Sequence, residues 1–385
     1  MQRRKDNKGK VLREGESQRK DGMYQYRWTD RFGERHIIYS KDLKVLREKI
    51  EKLNSLIREG NDPIADSMTV GDLVKKYNNL HRPSLKVTTT KNLDTFINLL
   101  DSYPFAEKPI SAITPTEAKV FMKKLYEDGY CYGTINNYKG ILRPAFELAC
   151  DDRILSRNPF SFQLSKVVPK EERTKTILSD EQFSRLIDFC KKDLYLNQHV
   201  DELIILYETG LRVSEFCGLT IDDVDLIRGV VNVNHQLVYL HGKRSIQTPK
   251  SKSGIRSVPL SQNAKNAFTH IISIRPILDE EPEVDGYSGF LQVSYNKAPR
   301  SVVSVESNIR RAIERYNRAS PDIQLPTNVT PHTLRHMFCT RMIESGMNIK
   351  VVQYMMGHSK VNMTLDVYSH IDDEKVAQEF RKFIQ

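Results

Sequence analysis

The 385-residue chain contains no apolar run long enough to cross a bilayer as a helix. Its first residues, "MQRRKDNKGK", lack the apolar centre of a secretory signal. Its five cysteines, Cys131, Cys150, Cys190, Cys217 and Cys339, are scattered, with no CxxC pair. That pattern suits reduced thiols packed in cores and argues against a cysteine-built zinc site. No internal repeat divides the chain. These absences lead to the expectation of a cytoplasmic protein that does not use a membrane. What the chain has in surplus is positive charge, a formal +10 with pI near 9.2. Such a balance favours polyanions, nucleic acid before acidic membrane.

The length allows two or three domains, and the patterning suggests three, mainly helical with small β-sheets. After a basic, polar start, Tyr24, Tyr26 and Trp28 alternate. "RFGE" then turns, and "HIIY" (36–39) reads as a strand, giving a hairpin with a third strand before it. Ser40 is expected to cap a helix striped by Leu43, Leu46, Ile50, Leu53 and Ile57. This makes a sheet-plus-helix module over 1–62, followed by a linker at "NDPIADS". Residues 67–165 read as four helices. One opens at Thr114-Pro115-x-Glu117 as a capping box, and another carries Lys139, Arg143 and an internal Pro144. "KVVPKEERTK" (166–175) reads as a second linker. The third domain, 174–385, opens at Ser179-x-x-Gln182, a capping box with Leu178 and Phe183 as hydrophobic staple. It carries a β-branched stretch around residues 230–260, a small antiparallel sheet in a helical surround.

Four segments of this last domain carry chemistry. "TGLRVSE" holds Arg212 after a Gly-Leu turn. "TPKSKSGIRSVPL" holds Lys250 and Lys252, read as lying on a tight β-turn. "PHTLRH" places His332 and Arg335 three apart on one helix face. "MMGHSKVNMTLDVYSHI" holds His358 and Tyr368. Each alone is as easily a solvated surface group. Together they are the parts of metal-free phosphodiester cleavage. Cations meet the charge on the nonbridging oxygens. A phenol becomes a nucleophile beside a cationic cluster. A lysine can protonate the departing alkoxide.

"GLRVSE", the lysine of "SKSG", "HTLRH", "GHS" and "TLDVYSH" occur in the order found in the tyrosine recombinase (phage integrase) family. Residues 174–385 resemble that family's catalytic domain, and the similarity is closest to integrases of conjugative transposons. Residues 1–60, including "GESQRKDGMYQYRW", resemble the three-stranded arm-type DNA-binding module of those integrases. The four helices look like the family's core-binding domain. The resemblance implies a site-specific recombinase that cuts and rejoins strands through a 3′-phosphotyrosyl intermediate and a Holliday junction, with neither metal nor ATP. Carried over residue by residue, Arg212 and Arg335 clamp the scissile phosphate. His332 and His358 hydrogen-bond it, and Tyr368 attacks. Lys252 is the general acid with Lys250 as its rival, and Glu215 buttresses the cluster.

The implied partner is double-stranded DNA at core-type and arm-type sites. The implied assembly is a homo-oligomer on DNA, a tetramer whose C-terminal helix (Val376, Phe380, Phe383) docks in trans, with a DNA-bending protein and an excision factor as possible helpers. The protein would associate with the nucleoid when bound. Arg19, Lys20 and Arg27 are candidate arm contacts, and Lys86, Lys91, Lys139 and Arg143 candidate core contacts. Three other readings compete. A type IB topoisomerase-like enzyme would have no need of two DNA-reading modules. A non-catalytic regulator would have no need of the full Arg-Lys-His-Arg-His-Tyr set. A zinc pair at His332 and His336 would need Glu where Thr333 stands.

Overall fold

The computed structural model describes residues 4–29, 35–58, 62–84, 87–170, 178–240, 242–249, 252–361 and 364. They fall into two compact units, Met1–Glu172 and Arg173–Gln385. Among the described residues the architecture is mainly helical with small antiparallel sheets.

The first unit begins with strands β1 (Glu16–Gln18), β2 (Tyr24–Thr29) and β3 (Arg35–Ser40), antiparallel in that order. Alternation along β2 sends Tyr24 and Tyr26 to one face, where they pack with Ile38 on Leu43, Leu46 and Ile50 of α1 (Leu43–Arg58). Buried Glu16 pairs with Arg47 at 3.0 Å and ties β1 to α1. The helix start differs from expectation. Ser40 stays in the ladder opposite Tyr24, and Asp42 accepts from the Lys44 and Val45 amides instead. Aspartate caps as well as serine, and here it sits next to the first turn. Ile57, expected in the stripe, is 48% exposed. The turn at 30–34 lies outside the described residues.

A separate core holds α2 (Val70–His81), α3 (Val87–Asp101), α4 (Pro115–Glu127) and α5 (Tyr132–Asp151) together through Phe96, Leu100, Phe121, Met122, Leu142 and Phe146. The box at Thr114 is half formed. Its hydroxyl accepts from the Glu117 amide, but the Glu117 carboxylate pairs with Lys108. Helix α5 runs through Pro144 unbroken. Val168, expected in a polar linker, is buried in this core. Residues 171–177 lie outside the described set.

The second unit starts as read. Ser179 and Gln182 make both bonds of the capping box on α6 (Asp180–Lys192), with Leu178 and Phe183 buried. Next come α7 (Val200–Thr209) and α8 (Val213–Gly218). Strands β4 (Val224–Asp225), β5 (Val230–Val233) and, later, β8 (Arg256–Pro259) form one sheet, ordered β4-β5-β8. Between them β6 (Gln236–Leu240) and β7 (Lys243–Gln247) leave as a separate ribbon, and β8 returns beside β5. Helices α9 (Gln262–Ser273), α10 (Val302–Ala319), α11 (Pro331–Glu344) and α12 (Ile349–Met356) complete the unit. Phe216, Phe268, Ile309 and Phe338 lie in its continuous core.

Candidate active site

Helix ends build the site. Helix α7 stops at Gly210, whose φ of +62° is left-handed and suits glycine. A Cβ there would come within 2.4 Å of the Phe338 ring, so the position is closed to other residues on packing grounds too. The turn buries Leu211 and leaves Arg212 at the N-terminus of α8. Glu215, one turn on, accepts from the Arg212 amide at 2.9 Å and from Arg212 Nη1 at 2.7 Å. Thr330 caps α11, with Pro331 in its first turn. Arg335 is buried on this helix, whereas His332 is exposed on the first turn. The His332 and His336 rings meet edge-on with centroids 4.4 Å apart.

The C-terminal end of α12 gathers the guanidinium groups. The last carbonyls of a helix have no intrahelical donor and carry the negative end of its dipole. Three successive carbonyls here each accept from a different arginine. Met355 accepts from Arg256 Nε at 2.6 Å, Met356 from Arg335 Nη2, and Gly357 from Arg212 Nη2 at 3.1 Å. Arg335 Nη1 donates to the Gly210 carbonyl at 2.6 Å, which joins the ends of α7 and α12. Gly357 itself has φ +61°, and a Cβ would lie 3.1 Å from both Arg256 Nη1 and the Ser253 carbonyl.

His358 follows, buried, with Nδ1 2.9 Å from the Thr364 hydroxyl. Burial first, then the charges of Arg335 and Arg212, hold its imidazole down to about 4, so it is neutral near pH 7. Burial pushes Glu215 upward, but hydrogen bonds and charge from Arg256, with Arg212 behind them, bring it to about 2. Burial and then the neighbouring Arg212 lower Arg335 to about 9. Three guanidinium groups against one carboxylate leave positive charge in excess, an environment that favours an entering anion.

Arg256 was missed in the sequence. A signal was present: in "IRSVPL" the alternation of β8 puts Arg256 on the same inward face as buried Val258. Lys252 is exposed and opens a short 3-10 turn, Lys252–Gly254, between the β6–β7 ribbon and β8. Lys252 thus lies on a tight turn, closed by the Ile255 amide donating to the Lys252 carbonyl at 3.1 Å, that leads into β8 beside β5. That turn reaches the cluster through the Gly254 carbonyl, which accepts from Arg256 at 3.1 Å. Tyr368, Lys250 and the C-terminal stripe (Val376, Phe380, Phe383) lie outside the described residues, as does Lys86.

In the first unit, Arg19, Lys20 and Arg27 are exposed. Arg27 is on the β2 face opposite Tyr24, beside exposed Ile37, and the Arg19 guanidinium lies 5.5 Å over the ring of exposed Tyr39. Lys91 and Arg143 are exposed on α3 and α5. Lys139 departs from the expected exposed phosphate contact. It is buried with its Nζ 5.0 Å over the Phe162 ring, and burial followed by Arg143 lowers its pKa. Among the described residues no group of three or more His, Cys, Asp or Glu is placed to hold a metal ion, and no helix is long and apolar enough to cross a membrane.

A family model described as the phage integrase family matches residues 176–375, and one described as the DNA binding domain of Tn916 integrase matches residues 1–60. The transposase from transposon Tn916 of Enterococcus faecalis is 38% identical over 395 residues, covering 99% of this chain and 96% of that protein. The transposase from transposon Tn1545 of Streptococcus pneumoniae is also 38% identical, with the same coverage of 99% and 96%. Among solved structures, the Tn1549 transposon integrase in complex with a circular intermediate DNA has a TM-score of 0.78 at 34% identity, covering 82% of this chain and 99% of that one.

Proposed function

The chain belongs to the phage integrase family, the tyrosine recombinases, and from that premise we propose that it is a site-specific DNA recombinase of the conjugative-transposon type. The observation that carries this reading is the convergence of Arg212, Arg256 and Arg335 on the last carbonyls of α12, with Glu215 among them.

In this reading Arg212 and Arg335 hold the nonbridging oxygens of the scissile phosphate and stabilise the charge that develops there. His332 and His358 add hydrogen bonds. A Thr364 hydroxyl donating to Nδ1 keeps the His358 proton on Nε2, so the neutral ring can donate to phosphate. The Tyr368 oxygen attacks phosphorus and its proton passes to His332. The bond to the 5′-oxygen breaks as Lys252 supplies that oxygen with a proton. The products are a 3′-phosphotyrosyl linkage and a free 5′-hydroxyl. The ester conserves the energy of the broken bond. A 5′-hydroxyl from the partner duplex therefore reverses the step without ATP, and exchange of one strand pair gives a Holliday junction.

Residues 1–62 serve as an arm-type DNA-binding domain, a reading supported by the likeness to the DNA binding domain of Tn916 integrase. Arg19, Lys20 and Arg27 are its contacts. Residues 67–165 serve as the core-binding domain, with Lys86, Lys91 and Arg143 on the backbone. Lys139 acts there chiefly through its packing on Phe162. Residues 174–385 form the catalytic domain. The protein assembles on DNA as a tetramer with its C-terminal helix docked in trans, works with a DNA-bending protein and an excision factor, and acts in the cytoplasm. The DNA complex of the Tn1549 integrase supports the choice of partner.

The test is covalent capture. End-labelled duplexes from the flanks of the element are incubated with protein in EDTA and run on a denaturing gel. A protein-linked band from wild type that Tyr368→Phe abolishes, with DNA binding retained, is the expected result. Cleavage surviving in Tyr368→Phe would sink the nucleophile assignment.

A further inference from the structure

We infer that Arg256 is a positioning residue for strand cleavage, holding Glu215 and the end of α12 so that Arg212 keeps its fork open to phosphate. This rests on the reading of Arg212 as a phosphate clamp. An ionised carboxylate offers about four acceptor directions, and those of Glu215 are all used. Oε1 accepts from Arg212 Nη1 at 2.7 Å and Arg256 Nη1 at 3.0 Å. Oε2 accepts from the Arg212 amide at 2.9 Å and Arg256 Nη2 at 2.8 Å. While Arg256 fills half of these directions, Glu215 takes only one nitrogen of the Arg212 side chain. A second, Nη2, rests on the Gly357 carbonyl with a hydrogen to spare for an anion. With Arg256 gone, the freed lone pairs would draw Arg212 into a bidentate pair with Glu215, which competes directly with phosphate.

Arg256 also spans three segments. Its Nε holds Met355, its Nη1 holds Gly254 two residues from Lys252, and its fork holds α8 through Glu215. Its side chain is 0% exposed, so it acts through its neighbours and not by touching DNA. A lysine would keep the charge but has no planar fork and could not reproduce this set of bonds.

The test compares wild type, Arg256→Lys, Arg212→Ala and the double variant as full-length proteins. Single-turnover covalent complex formation is measured on duplexes with a normal scissile phosphate and with an uncharged methylphosphonate at the same place. Mobility shift and thermal melting check binding and folding. Arg256→Lys is expected to bind DNA normally and to slow cleavage of the phosphate on the order of a hundredfold, the size expected when one aligned donor is lost. It should slow the methylphosphonate far less, because an uncharged group has less need of Arg212. The double variant should be no slower than Arg212→Ala.

Wild-type cleavage by Arg256→Lys, or equal slowing on both substrates, would overturn the inference and leave Arg256 a purely structural residue. Additive losses in the double variant would overturn it as well. Normal cleavage by Arg212→Ala would show instead that the phosphate-clamp reading fails, and the inference with it. Should Arg256→Lys not fold, the combined Arg256→Met and Glu215→Gln change removes both buried charges together. With no carboxylate left at 215 to capture Arg212, it is expected to show little of the contrast between substrates, and a contrast as large as that expected of Arg256→Lys would count against the inference.

Discussion

Replacing Glu215 with glutamine keeps the size of the side chain and removes its charge. Two routes give the cost. The carboxyl lies at about 2 against an ordinary 4.5, and at about 1.4 kcal/mol per unit that gap is roughly 3 kcal/mol of preference for the ionised form. Separately, removing one partner of a buried ion pair costs about 3–5 kcal/mol because the other charge is left uncompensated. Here that charge is Arg256, left with neutral acceptors alone, the carbonyls of Met355 and Gly254 and the amide oxygen of the new side chain. Glu215→Gln should therefore destabilise the second unit by about 3 kcal/mol.

The assay is urea unfolding of the full chain followed by far-ultraviolet circular dichroism. Fluorescence of Trp28, the one tryptophan, follows the N-terminal sheet instead and should be little changed. The pH dependence has a definite sign. A depressed carboxylate stabilises fully above its unfolded value of 4.5, and the contribution is lost as pH falls through its folded value of about 2. The stability difference between wild type and Glu215→Gln should be flat above pH 4.5 and shrink below it. A loss under about 1 kcal/mol, or a difference that does not shrink in acid, would refute the idea that the arginines depend on this carboxylate.

Two further outcomes are expected. Gly357→Ala puts a side chain at φ +61° and presses a Cβ on Arg256 Nη1 and the Ser253 carbonyl at 3.1 Å. It should cost about 1–3 kcal/mol by thermal unfolding, the left-handed backbone supplying at least one, and slow cleavage; unchanged stability would contradict the packing described. Lys252→Ala should slow cleavage of a normal strand by about a hundredfold or more but spare a 5′-thio leaving group, which departs without a proton. Equal slowing on both substrates would move the general acid elsewhere, with Lys250 next.

The elements that were legible in advance are those with local causes. Ser179 and Gln182 cap α6, Tyr24 and Tyr26 face one way on β2, and the glycine of "TGLR" ends a helix because only glycine takes the left-handed turn cheaply. Arg212, Arg335 and His358 come together because those helix ends meet, which their motifs implied only through the family resemblance. What stayed hidden is nonlocal. Nothing near Arg256 in sequence announces Glu215 or Met355 as partners. Lys139 lies at helical spacing with buried Ile135, Leu142 and Phe146, so the periodicity of α5 already pointed to its burial; what the sequence did not show is the Phe162 ring beneath its ammonium. Ser40 lost the helix cap to Asp42 because pairing with Tyr24 extended β3 by a residue that periodicity alone does not count.

The most direct measurement is the chemical identity of the DNA linkage. Covalent complex trapped on a nicked duplex is digested with nuclease and protease, and the modified peptide is sequenced by mass spectrometry. A nucleotide joined through its 3′-phosphate to Tyr368 is the expected product. A nucleotide on any other residue, or a complex joined through a 5′-phosphate, would contradict the assignment of this chain's chemistry.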